Sequence, residues 1–241
     1  MTGVLTEASL ASTVVRLAVA EGAEVLLSSP VCRAHRITAR TAPRLGVDSE
    51  VLELDVQLEE DLAGLADAVR AAGWDRVDGV VHAMAYLPEH DATAGFAAQP
   101  WSVVGEVVQT GAWSLAAIVQ ALRPLLTNGS SVVGLDMDAS RTWTGQDWVG
   151  VAQAALEGTA RYLARELGPD GVRVNLVATG PHRTMLRRAL GNLPWDAQAP
   201  LGWDETSADA SGRAVVALLS DWFPATTGEI VQVDGGVHAL G

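Results

Sequence analysis

Few side chains in this sequence can do chemistry at neutral pH, and they are scattered along it. His182 is the strongest general acid or base candidate, because an imidazole titrates near neutrality. The alternative is a solvated loop histidine. Asp136, Asp138 and Arg141 lie within six residues and read as a local charge cluster that is structural. Cys32 is the single cysteine, so no internal disulfide can form and a cysteine-based metal site is not expected. The chain has no lysine at all; every basic residue other than histidine is arginine.

The background composition narrows the field. The chain has 241 residues, 49% of them apolar, and a net charge of −13. It is long and hydrophobic enough to bury a core as one α/β domain. Its charge argues against nucleic acid or an anionic membrane as the main partner. No apolar run reads as long enough to span a bilayer, and Met1-Thr2-Gly3-Val4 lacks the basic and apolar regions of a secretion signal, so the cytoplasm is expected.

Elements able to position such residues are visible as alternating patterns. Glu24–Ser28, Val51–Asp55, Gly79–Ala83, Ser131–Leu135, Val172–Val177 and Ile230–Val233 read as short buried strands. Helical periods run over Leu10–Glu21, Leu58–Ala72, Val107–Leu126, Trp148–Leu167 and Ala208–Ser220. The alternation predicts one Rossmann-type doubly wound parallel sheet, in three layers, spanning residues 1–241. Such a sheet normally has a strand before its first turn, but here Thr2–Ser9 already forms a Gly/Ser/Thr turn into a helix. Either an upstream stretch is lacking or the sheet is rebuilt. Gly180–Trp203 is a long segment at the carboxyl end of a strand, expected as a substrate lid. The alternative is a loop filling an oligomer interface.

Over nearly its whole length the sequence resembles the enoyl-acyl-carrier-protein reductases of the short-chain dehydrogenase/reductase superfamily, in particular the mycobacterial long-chain type. The resemblance rests on the Gly3 to Ala11 loop, Leu54-Asp55-Val56, Gly79-Val80-Val81-His82, Gly134 to Arg141, Asn175 to Pro181, Ala199 to Trp203, Leu219 to Gly228 and Asp234-Gly235-Gly236. It implies NADH along the carboxyl edge of the sheet. Gly3 and Ser9 would hold phosphates at a helix N-terminus, with Asp55, Val56, Ala85 and Thr184 completing a cofactor site that is vestigial here. His82 is implied to be structural. In that family a tyrosine bonds the thioester carbonyl, and a lysine seven residues later holds the nicotinamide ribose from the same helix face. The matching positions here are Gln146 and Gln153. A glutamine amide can donate a hydrogen bond, but it cannot release a proton at neutral pH and carries no charge. Ala85 replaces a glycine, Met137 a phenylalanine and His182 a hydrophobic residue; the aromatic residue beside the adenine maps near Pro30.

Three readings follow. In the first, the protein is a redox-inactive homologue repurposed for cyclisation, isomerisation or a pericyclic step on a hydrophobic acyl or polyketide-like substrate. Tyr86, Leu87, Met137, Trp143 and Trp195 would line its pocket, and Gln146, His182 and Gln153 would be catalytic. No cofactor is expected, and NADH only if the ancestral function survives. Plain packing is the alternative for each tryptophan, and Trp74, Trp148 and Trp222 are assigned to the core. An ordinary polar residue at a helix start is the alternative for Gln146. The second reading is an NADH-dependent enoyl-thioester reductase with an atypical site. The third is a non-catalytic ligand-binding or partner subunit. A homotetramer or homodimer through the long helices is expected under the resemblance.

Overall fold

The computed structural model describes residues 1–30, 33–86, 95–143, 145–183 and 195–240. Among the described residues six strands form: β1 (Ser28–Ser29), β2 (Leu52–Glu53), β3 (Val77–His82), β4 (Leu126–Asp136), β5 (Arg173–Thr179) and β6 (Ile230–Val233). All pair in parallel, as β1-β2 and as β3-β4-β5-β6. The helices are α1 (Leu10–Ala20), α2 (Arg33–Thr41), α3 (Glu59–Ala71), α4 (Trp101–Val108), α5 (Ser114–Leu122), α6 (Asp147–Leu167), α7 (Trp195–Gln198) and α8 (Asp209–Leu219).

Successive strand residues point to opposite faces, and both faces are apolar. Val80, Val132 and Leu176 pack beneath α3, α5 and α6 with Leu65, Ile118 and Leu156. Their neighbours Val81, Val133 and Val177 pack on the other face with Val14 of α1 and with Val215 and Leu218 of α8. This is the three-layer, Rossmann-type arrangement expected from the alternation.

The outer strands are shorter than expected. Glu24–Ser28 and Val51–Asp55 reduce to two paired residues each. The reason lies between β1 and β3, where only Met1 and Thr2 bridge the sheet. The Met1 nitrogen donates to Leu26 O at 2.7 Å, Ser28 N to Met1 O at 3.0 Å, and Thr2 N to Val81 O at 3.1 Å. Beyond these two residues the described strands form two separate sheets.

Three other expectations are corrected. The helical period over Val107–Leu126 begins earlier, at Trp101, and passes through a π turn at Gln109–Trp113. The stretch Trp101–Leu125 has 25 residues and contains an 18-residue window of mean hydropathy 1.3, which is long and apolar enough to cross a membrane by length and composition alone. Its Leu115, Ile118, Val119 and Leu122 are buried in the core beneath β3 and β4. Helix α2 had no apolar signal, because only Thr38 and Thr41 of its nine residues are buried. Trp222 is not in the core; it sits in the turn between α8 and β6, 83% exposed.

Candidate active site

Helix α6 carries both glutamines, and its entry is strained. Asp147 has φ +42°, the only positive value at a non-glycine among the described residues. Such strain persists where surrounding structure enforces it, and it collects at functional sites. Gln146 precedes it as the cap residue, with a buried Oε1 that has no hydrogen-bond partner among the described residues. Two turns on, Gln153 is 2% exposed, and its Oε1 accepts the Met137 N–H at 3.3 Å. The π turn brings Gly111 up to this point. A Cβ there would lie 3.3 Å from Ala152 Cβ and 4.0 Å from Gln153 Nε2. Gln153 therefore ties the end of β4 to α6 in a tightly packed pocket, while Gln146 presents an uncommitted amide at the helix start.

The apolar residues fall into two groups. Tyr86 and Met137 pack with Val107, Val149 and Ala152 beside the glutamine face. Trp143 and Trp195 meet at 4.7 Å between ring centroids, tilted by 36°, in a separate cluster with Ala199, Trp203 and Val237. Their indole N–H groups are engaged, Trp143 donating to Asp138 Oδ2 at 3.0 Å and Trp195 to Asp234 O at 2.9 Å. Arg141 lies over Trp143, 4.2 Å from the ring centroid. Leu87 lies outside the described residues.

His182 is buried, so the solvated-loop alternative does not describe it. Its Nε2 meets Thr179 Oγ1 at 2.9 Å and Ser211 Oγ at 3.2 Å, while Nδ1 has no partner among the described residues. Burial pushes its pKa down to about 4. At neutral pH it is an uncharged imidazole in a hydroxyl cluster. His82 is fully buried, its pKa pushed down by burial to about 4, and it is bonded through Nε2 to Ser114 Oγ at 2.7 Å.

Asp136 stands apart from the charge cluster in which the sequence groups it. Asp138 and Arg141 approach at 4.0 Å. Asp136, the last residue of β4, is 2% exposed, and neither carboxyl oxygen has a partner among the described residues. Burial, then the nearby Glu157 charge, pushes its pKa up from 3.8 to about 8. The folded chain therefore holds this proton where an unfolded chain has released it. The stability it contributes is fully present below about pH 4 and is lost as pH rises through about 8. Asp136→Asn is expected to melt increasingly above the unchanged chain as pH rises from 4 to 8, a difference read from paired thermal melts. Equal melting temperatures across that window would contradict the assignment. Its chemical signal in the sequence was slight, a carboxyl ending a buried strand one residue before Met137.

Of the positions implied for a cofactor, Ser9 caps α1 and accepts the Ser12 N–H at 3.2 Å, leaving a first helical turn free of acidic residues. Gly3 (φ +79°) crosses the end of β3 so closely that a Cβ would lie 1.8 Å from Ala83 O. Asp55 accepts the Gln57 N–H at 3.0 Å, and Val56 is buried in the core. Ala85 follows β3 and is exposed. Thr184 lies outside the described residues. The Ser9-capped helix start, with unpaired N–H groups, fits an anionic phosphate group. The far end does not fit a nicotinamide ribose as well, since Gln153 is neutral and its carbonyl oxygen is already engaged.

Comparison with known proteins places this geometry. Residues 3–238 match the family model described as enoyl-(acyl carrier protein) reductase. The enoyl-[acyl-carrier-protein] reductase [NADH] of Mycolicibacterium smegmatis is 37% identical over 98% of this chain and 94% of the relative. That of Mycobacterium avium is 37% identical with the same coverage. The Aquifex aeolicus enzyme of that name is 30% identical over 100% of this chain and 91% of its own length. With the fold and these matches together, the chain belongs to the enoyl-(acyl carrier protein) reductase family.

Proposed function

We propose that this chain binds a hydrophobic acyl or polyketide-like substrate and carries out a non-redox step on it, such as a cyclisation, an isomerisation or a pericyclic rearrangement. The observation that carries this reading is the glutamine face of α6. Where hydride transfer to an enoyl thioester calls for a proton-donating phenol and a permanent cation, this helix offers two neutral amides. Gln146, with its uncommitted amide, can donate a hydrogen bond to a substrate carbonyl after a half-turn of the group. Tyr86 and Met137 supply an apolar wall beside it. Holding one reactive conformer there lowers a barrier without any electron transfer. Asp136, protonated at neutral pH, is a buried group beneath α6 able to exchange a proton, whereas the neutral His182 is held apart with Thr179 and Ser211.

A second reading, NADH-dependent reduction of an enoyl thioester, is favoured by the family and by the relatives' names. In it the Ser9-capped helix and the Asp55-Val56 turn hold the cofactor, which supplies a hydride when bound, and Gln146 orients the thioester carbonyl. The exposed Trp113 of the π turn and the exposed Val151 and Tyr162 on α6 support assembly as a homodimer or homotetramer.

The two readings separate by product mass. Incubation with an unsaturated acyl thioester and NADH is expected to return a product of unchanged mass with an altered structure. A product heavier by two hydrogens establishes the second reading instead.

A further inference from the structure

Gln146 is fixed in its backbone and loose at its amide. Its N–H donates to Trp143 O at 3.2 Å, and its carbonyl accepts the Val149 and Gly150 N–H groups at 2.8 and 3.3 Å. Residues of positive φ flank it on both sides, Gly145 at +82° and Asp147 at +42°. The side chain, by contrast, ends in a buried Oε1 with no partner among the described residues. On a helix a side chain leans over the turn before its own Cα, so a residue at 150 covers the place where the side chain of 146 lies. Position 150 is a glycine. A Cβ there would lie 3.3 Å from Gln146 Oε1 and 3.4 Å from Gln146 Cβ, the first a tight contact. A glycine inside a helix normally costs stability against alanine. Gly158 of the same helix has nothing within 4 Å of such a carbon.

We propose that Gly150 is a positioning residue for the reaction: it keeps open the seat of the Gln146 amide and lets that amide turn its N–H groups toward a substrate carbonyl. The proposal rests on Gln146 as the group that meets the carbonyl, which both reactions proposed above require. The amide nitrogen carries two hydrogens and the oxygen none, so the half-turn puts the bulkier end where Oε1 now sits. With only a hydrogen at 150, that turn is open. A methyl group 3.3 Å away would push the amide out of its seat. The backbone of Gln146 cannot follow, since its N–H and its carbonyl are both held. The side chain can, because its torsions move among staggered wells. An alanine at 150 therefore keeps the helix and moves the donor.

The test uses the full chain with Gly150→Ala, with Gly158→Ala as the same change elsewhere on the helix, and with Gln146→Ala as loss of the amide. The probe is a saturated dodecanoyl thioester of coenzyme A, isotopically labelled at the carbonyl. Thermal melts are expected to show every variant folded. In the free chain, the Gln146 side-chain amide resonances, identified by their loss in Gln146→Ala, should shift in Gly150→Ala and stay in place in Gly158→Ala. With the probe bound, the infrared carbonyl band should lie below its free frequency in the unchanged chain and in Gly158→Ala. It should return to the free frequency in Gly150→Ala and Gln146→Ala. Gln146 resonances that stay in place in Gly150→Ala, or move equally in Gly158→Ala, overturn the proposal. So does a lowered band that Gly150→Ala retains and Gln146→Ala loses. A band that Gln146→Ala leaves unmoved overturns instead the role of Gln146 on which the proposal rests.

Discussion

Replacing both amides at once, Gln146→Tyr with Gln153→Lys, is expected to raise NADH oxidation with an unsaturated acyl thioester by about 10²–10³-fold over the unchanged chain. That range is what one positioned donor to a developing oxyanion typically supplies. The two changes act as a unit, so each alone should recover far less than its share. A lysine at 153 is also the harder to accommodate. The site is 2% exposed, and the Met137 N–H would lose its acceptor, at a cost of about 1–3 kcal/mol. Asp136 offsets part of this, because a buried carboxyl without a partner stands one residue from Met137. An ammonium there should draw the Asp136 pKa back down, so the pH dependence seen on changing Asp136 should weaken in the double variant. A thermal melt checks that the variant folds. A folded double variant no faster than the unchanged chain would show that the amides are not what limits hydride transfer.

Gly3→Ala is expected to lower stability by about 3 kcal/mol, the sum of an alanine forced to positive φ and an overpacked contact. In a chain of this size that is a fall in Tm of about 6–12 °C. The added carbon would lie 1.8 Å from Ala83 O and 2.7 Å from Ala83 C, both main chain, so neither can swing aside. The same crossing is held by Thr2 Oγ1, which accepts the Ala83 N–H at 3.2 Å. Gly22→Ala isolates the conformational part. Its φ is +86° with nothing within 4 Å of the new carbon, so it should lose only about 1–2 kcal/mol. Equal losses at the two positions would mean that the contact with Ala83 is relieved by movement.

How far the sequence discloses this molecule depends on the range of the interaction involved. The face shared by Gln146 and Gln153 follows from helix periodicity alone, and α6 forms where the pattern places it. The packing of Tyr86 with Met137 was legible through the family motifs. Burial set by distant elements was not. His182 reads as a loop residue until Thr179 and Ser211 enclose it, and Asp136 reads as one member of a charge cluster until β4 carries it beneath α6. Trp143 and Trp195 belong to a cluster of their own around Val237, because each indole N–H finds its acceptor there. The π turn at Gln109–Trp113 has no local signature, and it decides how near Gly111 comes to Gln153.

On the proposed function, the two uncharged amides on α6 do not support hydride transfer. The most direct measurement follows reduced-nicotinamide absorbance while an unsaturated acyl thioester is added to the purified chain with NADH. The trace should stay flat at every thioester concentration. A steady fall that scales with protein concentration would contradict it.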